Sequence, residues 1–533
     1  MHRIRALFEQ QRTRIASHPF FAWLAASEES ASNAFVFTPV MVDFTMGFAD
    51  MNKWFFSYPN AQSDFERAIN QHTQEDRTHS RLFLENWCAF GLDQSLQWPT
   101  SKTLWWLYHS EETLPVRHFG WEIMGLAATL SDPLPRFALM EAIEICGDIF
   151  FRNSARVATK LSARTGVDYR YYGEYHQLRE TGHLHTDESP FFAAQLSTQQ
   201  LAQAHEACLR IFNGFERVLD QLLSYCLRAS SDPNQLKMAL DEQYQRSLIS
   251  PPVRKADRLL RALGEPRVAR SQAPLLDYLN ERKNQLQRHP FVNWLAQDSQ
   301  GGIETLQSFS ALWAIDITGY PDFNRFALTY PASTSEAQLA INQVASALGT
   351  HGVGYLRDWK ALELDELLKW SPGDAISFYF LSEQTEIHRR NLAKVTQLAF
   401  RNPAPLWRLW LMVAFESGGD PLFDALAPHV ERAERTGSLL NYWAERHCTA
   451  GSDPNPGSLA LLAAQFDLEI SAREQHQISE MIGGIFDNFE EQFSLSHQEA
   501  NRSTFLKAAG SLPPAPQPAP RWPAAKHTAT KSA

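Results

Sequence analysis

His18-Pro19-Phe20 and Trp23-Leu24-Ala25 return far along the chain as His289-Pro290-Phe291 and Trp294-Leu295-Ala296, an offset of 271 (289 − 18). The offset persists. Asp50-Met51-Asn52-Lys53 answers to Asp322-Phe323-Asn324-Arg325, Tyr58-Pro59 to Tyr330-Pro331, and Ala68-Ile69-Asn70-Gln71 to Ala340-Ile341-Asn342-Gln343. Trp87 answers to Trp359, Ser110-Glu111 to Ser382-Glu383, and Arg164-Thr165-Gly166 to Arg435-Thr436-Gly437. Near each end, Ile211-Phe212 with Phe215 matches Ile485-Phe486 with Phe489. So long a period marks a duplicated domain, because stacked solenoid repeats recur about every 20–50 residues. The chain reads as two tandem copies over residues 1–230 and 273–505, joined by a helical, charged connector over 231–272. Residues 506–533 are rich in Pro and Ala and too poor in apolar side chains to fold, so a disordered tail is expected.

Apolar residues recur at three and four throughout, Pro and Gly clusters mark short connections, and strand signals are nearly absent. The expected class is all-α. Its 533 residues, 44% hydrophobic with 15 Trp and 34 Phe, supply two large cores. A net charge of -11 without a long basic run argues against nucleic acid and against an anionic membrane surface as partners. No stretch approaches the roughly 18 apolar residues of a membrane span. The N-terminus runs straight into an amphipathic pattern containing Glu9, unlike a signal peptide. Five cysteines without a CxxC are expected to be reduced thiols in a cytoplasmic protein.

Three segments of the first copy carry metal-capable side chains. His176, Glu180 and His183 stand at i, i+4 and i+7, within about 60° of one another on a helix. Glu75 and Asp76 precede His79 by four and three residues, so either carboxylate can share its face. Glu144 interrupts an apolar run (FALMEAIEI) in which a carboxylate needs a partner, with Glu141 one turn earlier as its competitor. Carboxylates and imidazoles projecting inward from several helices are how helical proteins hold a pair of iron or manganese ions. The bland alternatives are solvated helix faces for the first two segments and an interhelix ion pair for Glu144.

The order of these segments, with His-x3-carboxylate-x2-His 32 residues (176 − 144) after Glu144, resembles the heme-oxygenase-like diiron oxidases and oxygenases. The resemblance implies two tandem heme-oxygenase-like helical bundles, with a diiron site in the first. Its ligands would be Glu75 or Asp76, His79, Glu144, His176, Glu180 and His183. It further implies O2 as cosubstrate, a small amine, amino acid or fatty acid as substrate, and an external electron donor. N-oxygenation, oxidative decarboxylation and C–C cleavage are the family's outcomes. Two departures stand out: Glu180 occupies a place more often held by Asp, and the first carboxylate lies close to its His, with His72 at the longer spacing.

In the second copy His79, Glu144 and His176 map to His351, Glu416 and His447, whereas Glu75, Asp76 and Glu180 map to Ala347, Leu348 and Gly451. His351, Glu416 and His447 retain the composition of a two-His-one-carboxylate site. The second copy is otherwise expected to act as a degenerate, built-in pseudo-dimer partner, with a homodimer left open. Two further functions compete with the oxidase: a non-catalytic, metal-stapled scaffold, and a metal-free hydrolase like those of thiamine salvage, with Cys146 as nucleophile.

Overall fold

The computed structural model describes residues 2–27, 31–75, 79–180, 189–249, 258–264, 266–298, 301–349, 351–446 and 455–502. Among them every regular element is a helix and no strand occurs, so the chain is all-α. The long helices begin and end on local chemistry. Pro133–Thr165 starts at Asp132, whose side chain accepts from the Leu134 N–H, with Pro133 in the first turn where no N–H is needed. It stops at Gly166, whose φ of 71° lies in the left-handed region open to glycine. Thr198–Ser231 opens with a reciprocal box in which the Ser197 and Gln200 side chains each take the other residue's backbone N–H. It buries an apolar stripe that includes Ile211, Phe215 and Leu222, and packs along Pro133–Thr165.

The same local devices occur twice, at the offset read from the sequence. His18 and His289 cap Pro19–Ala26 and Pro290–Gln297 by accepting from the Phe20 and Phe291 N–H. Asn70 and Asn342 clamp the backbones of Tyr58 and Tyr330 through both side-chain amide atoms. Val42–Met51 and Ile303–Phe323 each run into a π-helical turn, Asn52–Phe56 and Asn324–Leu328. Within the connector, Pro233–Leu248 and Leu259–Ala262 are helical. Residues 250–257, and the expected tail, lie outside the described residues.

The halves meet through reciprocal pairs. Arg117 donates to Asp322 of the second half, and Arg389 donates from Nε to Asp50 of the first at 2.7 Å. Both partners are spaced by 272 (389 − 117 and 322 − 50), so the seam maps onto itself by a two-fold operation. A second set repeats the pattern. Asp93 accepts from Trp87 Nε1 at 2.7 Å and from the Gly373 N–H at 2.8 Å. Asp365 accepts from Trp359 Nε1 at 2.8 Å and from the Ser101 N–H at 2.9 Å. Each acid thus ties a tryptophan of its own half to a helix N-terminus of the other, where negative charge is favoured.

Candidate functional site

His79, Glu144 and His176 come from three separate helices and line one cavity of about 70 Å³. His79 opens His79–Ala89 and is buried. Glu144 projects from the middle of Pro133–Thr165, and His176, on Glu174–Glu180, is 1% exposed. The imidazole centroids of His79 and His176 are 4.4 Å apart. His176 Nδ1 lies 2.8 Å from the Tyr171 carbonyl oxygen. A carbonyl only accepts, so Nδ1 carries the proton and Nε2 the lone pair, the tautomer in which an imidazole ligates metal. Phe151 packs its ring 4.0 Å from that of His176 and holds its plane. Phe44, Phe48, Phe119 and Phe215 make most of the remaining wall apolar.

Glu144 has a neighbour that the sequence reading did not assign as a ligand. His72, on Asp64–Glu75 and 3% exposed, places Nε2 3.2 Å from Glu144 Oε1. Its only signal was its place at the longer spacing before His79, on the helix that precedes it. Glu75 and Glu180 are the last residues of their helices; their side chains, and Asp76 and His183 entirely, lie outside the described residues. Among the described residues no group of three His, Cys, Asp or Glu side chains is arranged to hold an ion. The donors that do share the cavity, two imidazoles and a carboxylate, suit divalent iron or manganese by ligand type.

Two competitors within the same helix separate. Glu141 acts on Cys208 of Thr198–Ser231, whose thiol is pushed up by burial first and by that carboxyl second. Cys146 lines the cavity, but burial pushes its thiol well above the usual range. A nucleophile needs the thiolate, which this environment disfavours. Tyr171 lines the cavity with its hydroxyl 3.2 Å from Thr45 Oγ1, whereas Tyr172 points to Thr38 at 3.1 Å. Tyr175 is 40% exposed, under the Arg170 guanidinium.

The second half has a cavity in the corresponding place, larger at about 160 Å³, and lined by His351 and Glu416 as the first is by His79 and Glu144. His447 lies outside the described residues. Glu416 Oε2 accepts from the Leu259 N–H at 2.7 Å, and burial pushes its carboxyl up to about 7. Beside it Arg258 is held by Asp420, Asp424 and Glu445 at 3.1, 2.8 and 2.7 Å. In the first half the counterpart of Asp420, Asp148, is held instead by Arg12 and Arg152, at 2.7 and 2.6 Å. The connector therefore delivers a guanidinium and a backbone donor to the second cavity, an arrangement that no local spacing could announce.

No helix among the described residues is long and apolar enough to cross a membrane. No family model matches the sequence, and no curated protein matches it.

Proposed function

We propose that the first half is a non-heme diiron oxidase or oxygenase acting on a small amine, amino-acid or fatty-acid substrate. One observation carries the reading: His79, Glu144 and His176, brought from three helices, face one apolar cavity. His79, Glu144 and His176 would hold the metal together with Glu180, His183 and a first carboxylate from Glu75 or Asp76. When bound, the metal pair supplies O2 activation, drawing electrons from an external donor. The chain's own residues set the conditions for it. The Tyr171 carbonyl fixes the His176 tautomer, and His72 orients the Glu144 carboxylate by a hydrogen bond at 3.2 Å. Phe44, Phe48, Phe119, Phe151 and Phe215 keep water away and leave room for an apolar portion of substrate. Cys146 hydrolysis has less support, given the buried, raised thiol.

Elemental analysis after anaerobic Fe(II) loading tests the reading, with about two iron per chain expected. Full iron binding by a His176→Ala/Glu180→Ala variant would refute the ligand assignment. Iron retained without any O2 consumption across amine, amino-acid and fatty-acid panels would leave the metal as a staple and favour the scaffold.

A further inference from the structure

The two cavities differ in one wall. In the first half that wall is apolar: Phe44, Phe119 and Phe215 line the cavity from three helices, with Val116 on the helix of Phe119 and Gly214 and Val218 on that of Phe215. At offsets of 272 and 274 (388 − 116 and 492 − 218) the second half places Asp316, His388, Asn391, Asn488 and Gln492, while Phe489 stays aromatic. Short side chains at Asp316 and Asn391 stand where Phe44 and Phe119 carry rings, in the direction of the larger volume. A decayed copy would lose polar groups. This one has gained a buried cluster of them.

The cluster is organised. Asp316 Oδ2 accepts from His388 Nδ1 at 2.5 Å and from Gln492 Nε2 at 2.8 Å. Asn391 Nδ2 donates to the Asn488 carbonyl at 3.2 Å. Each of these donors thus has a protein acceptor; His388 Nε2, which has no partner among the described residues, belongs to a residue outside the cavity lining. What remains are acceptors: Asp316 Oδ1 and Asn391 Oδ1 have no hydrogen-bond partner among the described residues, although Asn391 is only 2% exposed. Both residues line the cavity. A buried acceptor left unsatisfied is costly, and two on one wall call for a donor with more than one N–H. Also lining the cavity are Trp313, Tyr320, Phe415 and Phe489, which suit an apolar or aromatic body and the approach of a cation to a ring face. The guanidiniums of Arg258 and Arg446 are already answered by Asp420, Asp424, Glu445 and Glu434, so neither awaits an anionic ligand.

We propose that the second-half cavity is a separate binding site for a small primary amine on a compact apolar body, its ammonium held by Asp316 and Asn391. The volume sets the size: an engineered cavity of about 150 Å³ accepts benzene. Calorimetric titration of the full chain with benzylamine, benzyl alcohol and benzoate tests it. Benzylamine is expected to bind, benzyl alcohol roughly tenfold or more weaker, and benzoate not at all. Asp316→Asn and Asn391→Leu are each expected to weaken benzylamine by roughly tenfold or more. Should either variant not fold, Val395→Phe, which adds a ring to the cavity lining one turn from Asn391 and leaves every polar group of the cluster in place, is expected to abolish binding. Benzoate binding as tightly as benzylamine, no benzylamine binding at millimolar concentration, or benzylamine binding that survives Val395→Phe undiminished would each overturn the proposal.

Discussion

Asn86 and Asp358 occupy one place in the two halves, 272 apart (358 − 86), and show how a single atom changes the physics. Asn86 Oδ1 accepts from the Tyr171 N–H at 3.1 Å and so supports the segment leading to His176. Asp358, fully buried, accepts from the Asn441 and Trp443 N–H at 2.5 and 2.9 Å. Burial nevertheless outweighs those bonds and pushes its carboxyl up to about 7. The folded chain therefore keeps a proton there that the unfolded chain releases near about pH 4. The stability this contributes is full below that pH and is lost as pH climbs through 7. Asp358→Asn removes the titration. Its melting temperature relative to the parent is expected to rise steadily between about pH 4 and 8, whatever constant offset the changed Trp443 contact adds; a difference flat in pH would contradict the assignment. That His79, Glu144 and His176 line one cavity was anticipated at this scale from a carboxylate interrupting an apolar run and from imidazoles set at helical spacings. Asp316, His388, Asn391 and Gln492 were not. They stand on three helices, and each alone reads as an ordinary polar residue.

Two glycines of the long second-half helices test how tightly those elements pack. Gly418 lies on Pro405–Arg435, where an added methyl would run into the ring of Phe489, a wall of the larger cavity. Gly484 lies on Ala472–Arg502 with nothing within 4 Å of such a methyl. Gly418→Ala is expected to destabilise by about 1–3 kcal/mol through overpacking. Gly484→Ala is expected to stabilise by up to about 1 kcal/mol through helix propensity alone. Urea midpoints of the two variants should move in opposite directions, and movement in the same direction would reject the packing described. The helical period at this scale was plain in the sequence, but its interruptions were misleading. Pro405–Arg435 continues through Pro421 and Pro428, both of which ordinarily break a helix. Its buried face, which includes Leu409, Trp410, Leu422 and Leu426, is the tertiary context that local propensity does not contain.

At the scale of the molecule the repeat was legible and the seam was not, because spacing within one copy does not reveal which face meets the other. Arg117 and Asp322 are 4% and 6% exposed, an ion pair buried between the halves. Arg117→Ala leaves Asp322 buried without its charge partner and is expected to cost roughly 3–5 kcal/mol in chemical denaturation. Adding Asp322→Leu should recover part of that loss; equal stability of the single variant and the parent would mean that the pair is solvated after all. The reciprocity of this joint has a corollary for a severed chain. A fragment ending near residue 230 keeps both Arg117 and Asp50, the two complementary members of the seam. Two such fragments can answer one another's charges, so sedimentation should find the orphaned half as a true dimer, wearing a copy of itself where its sibling had been.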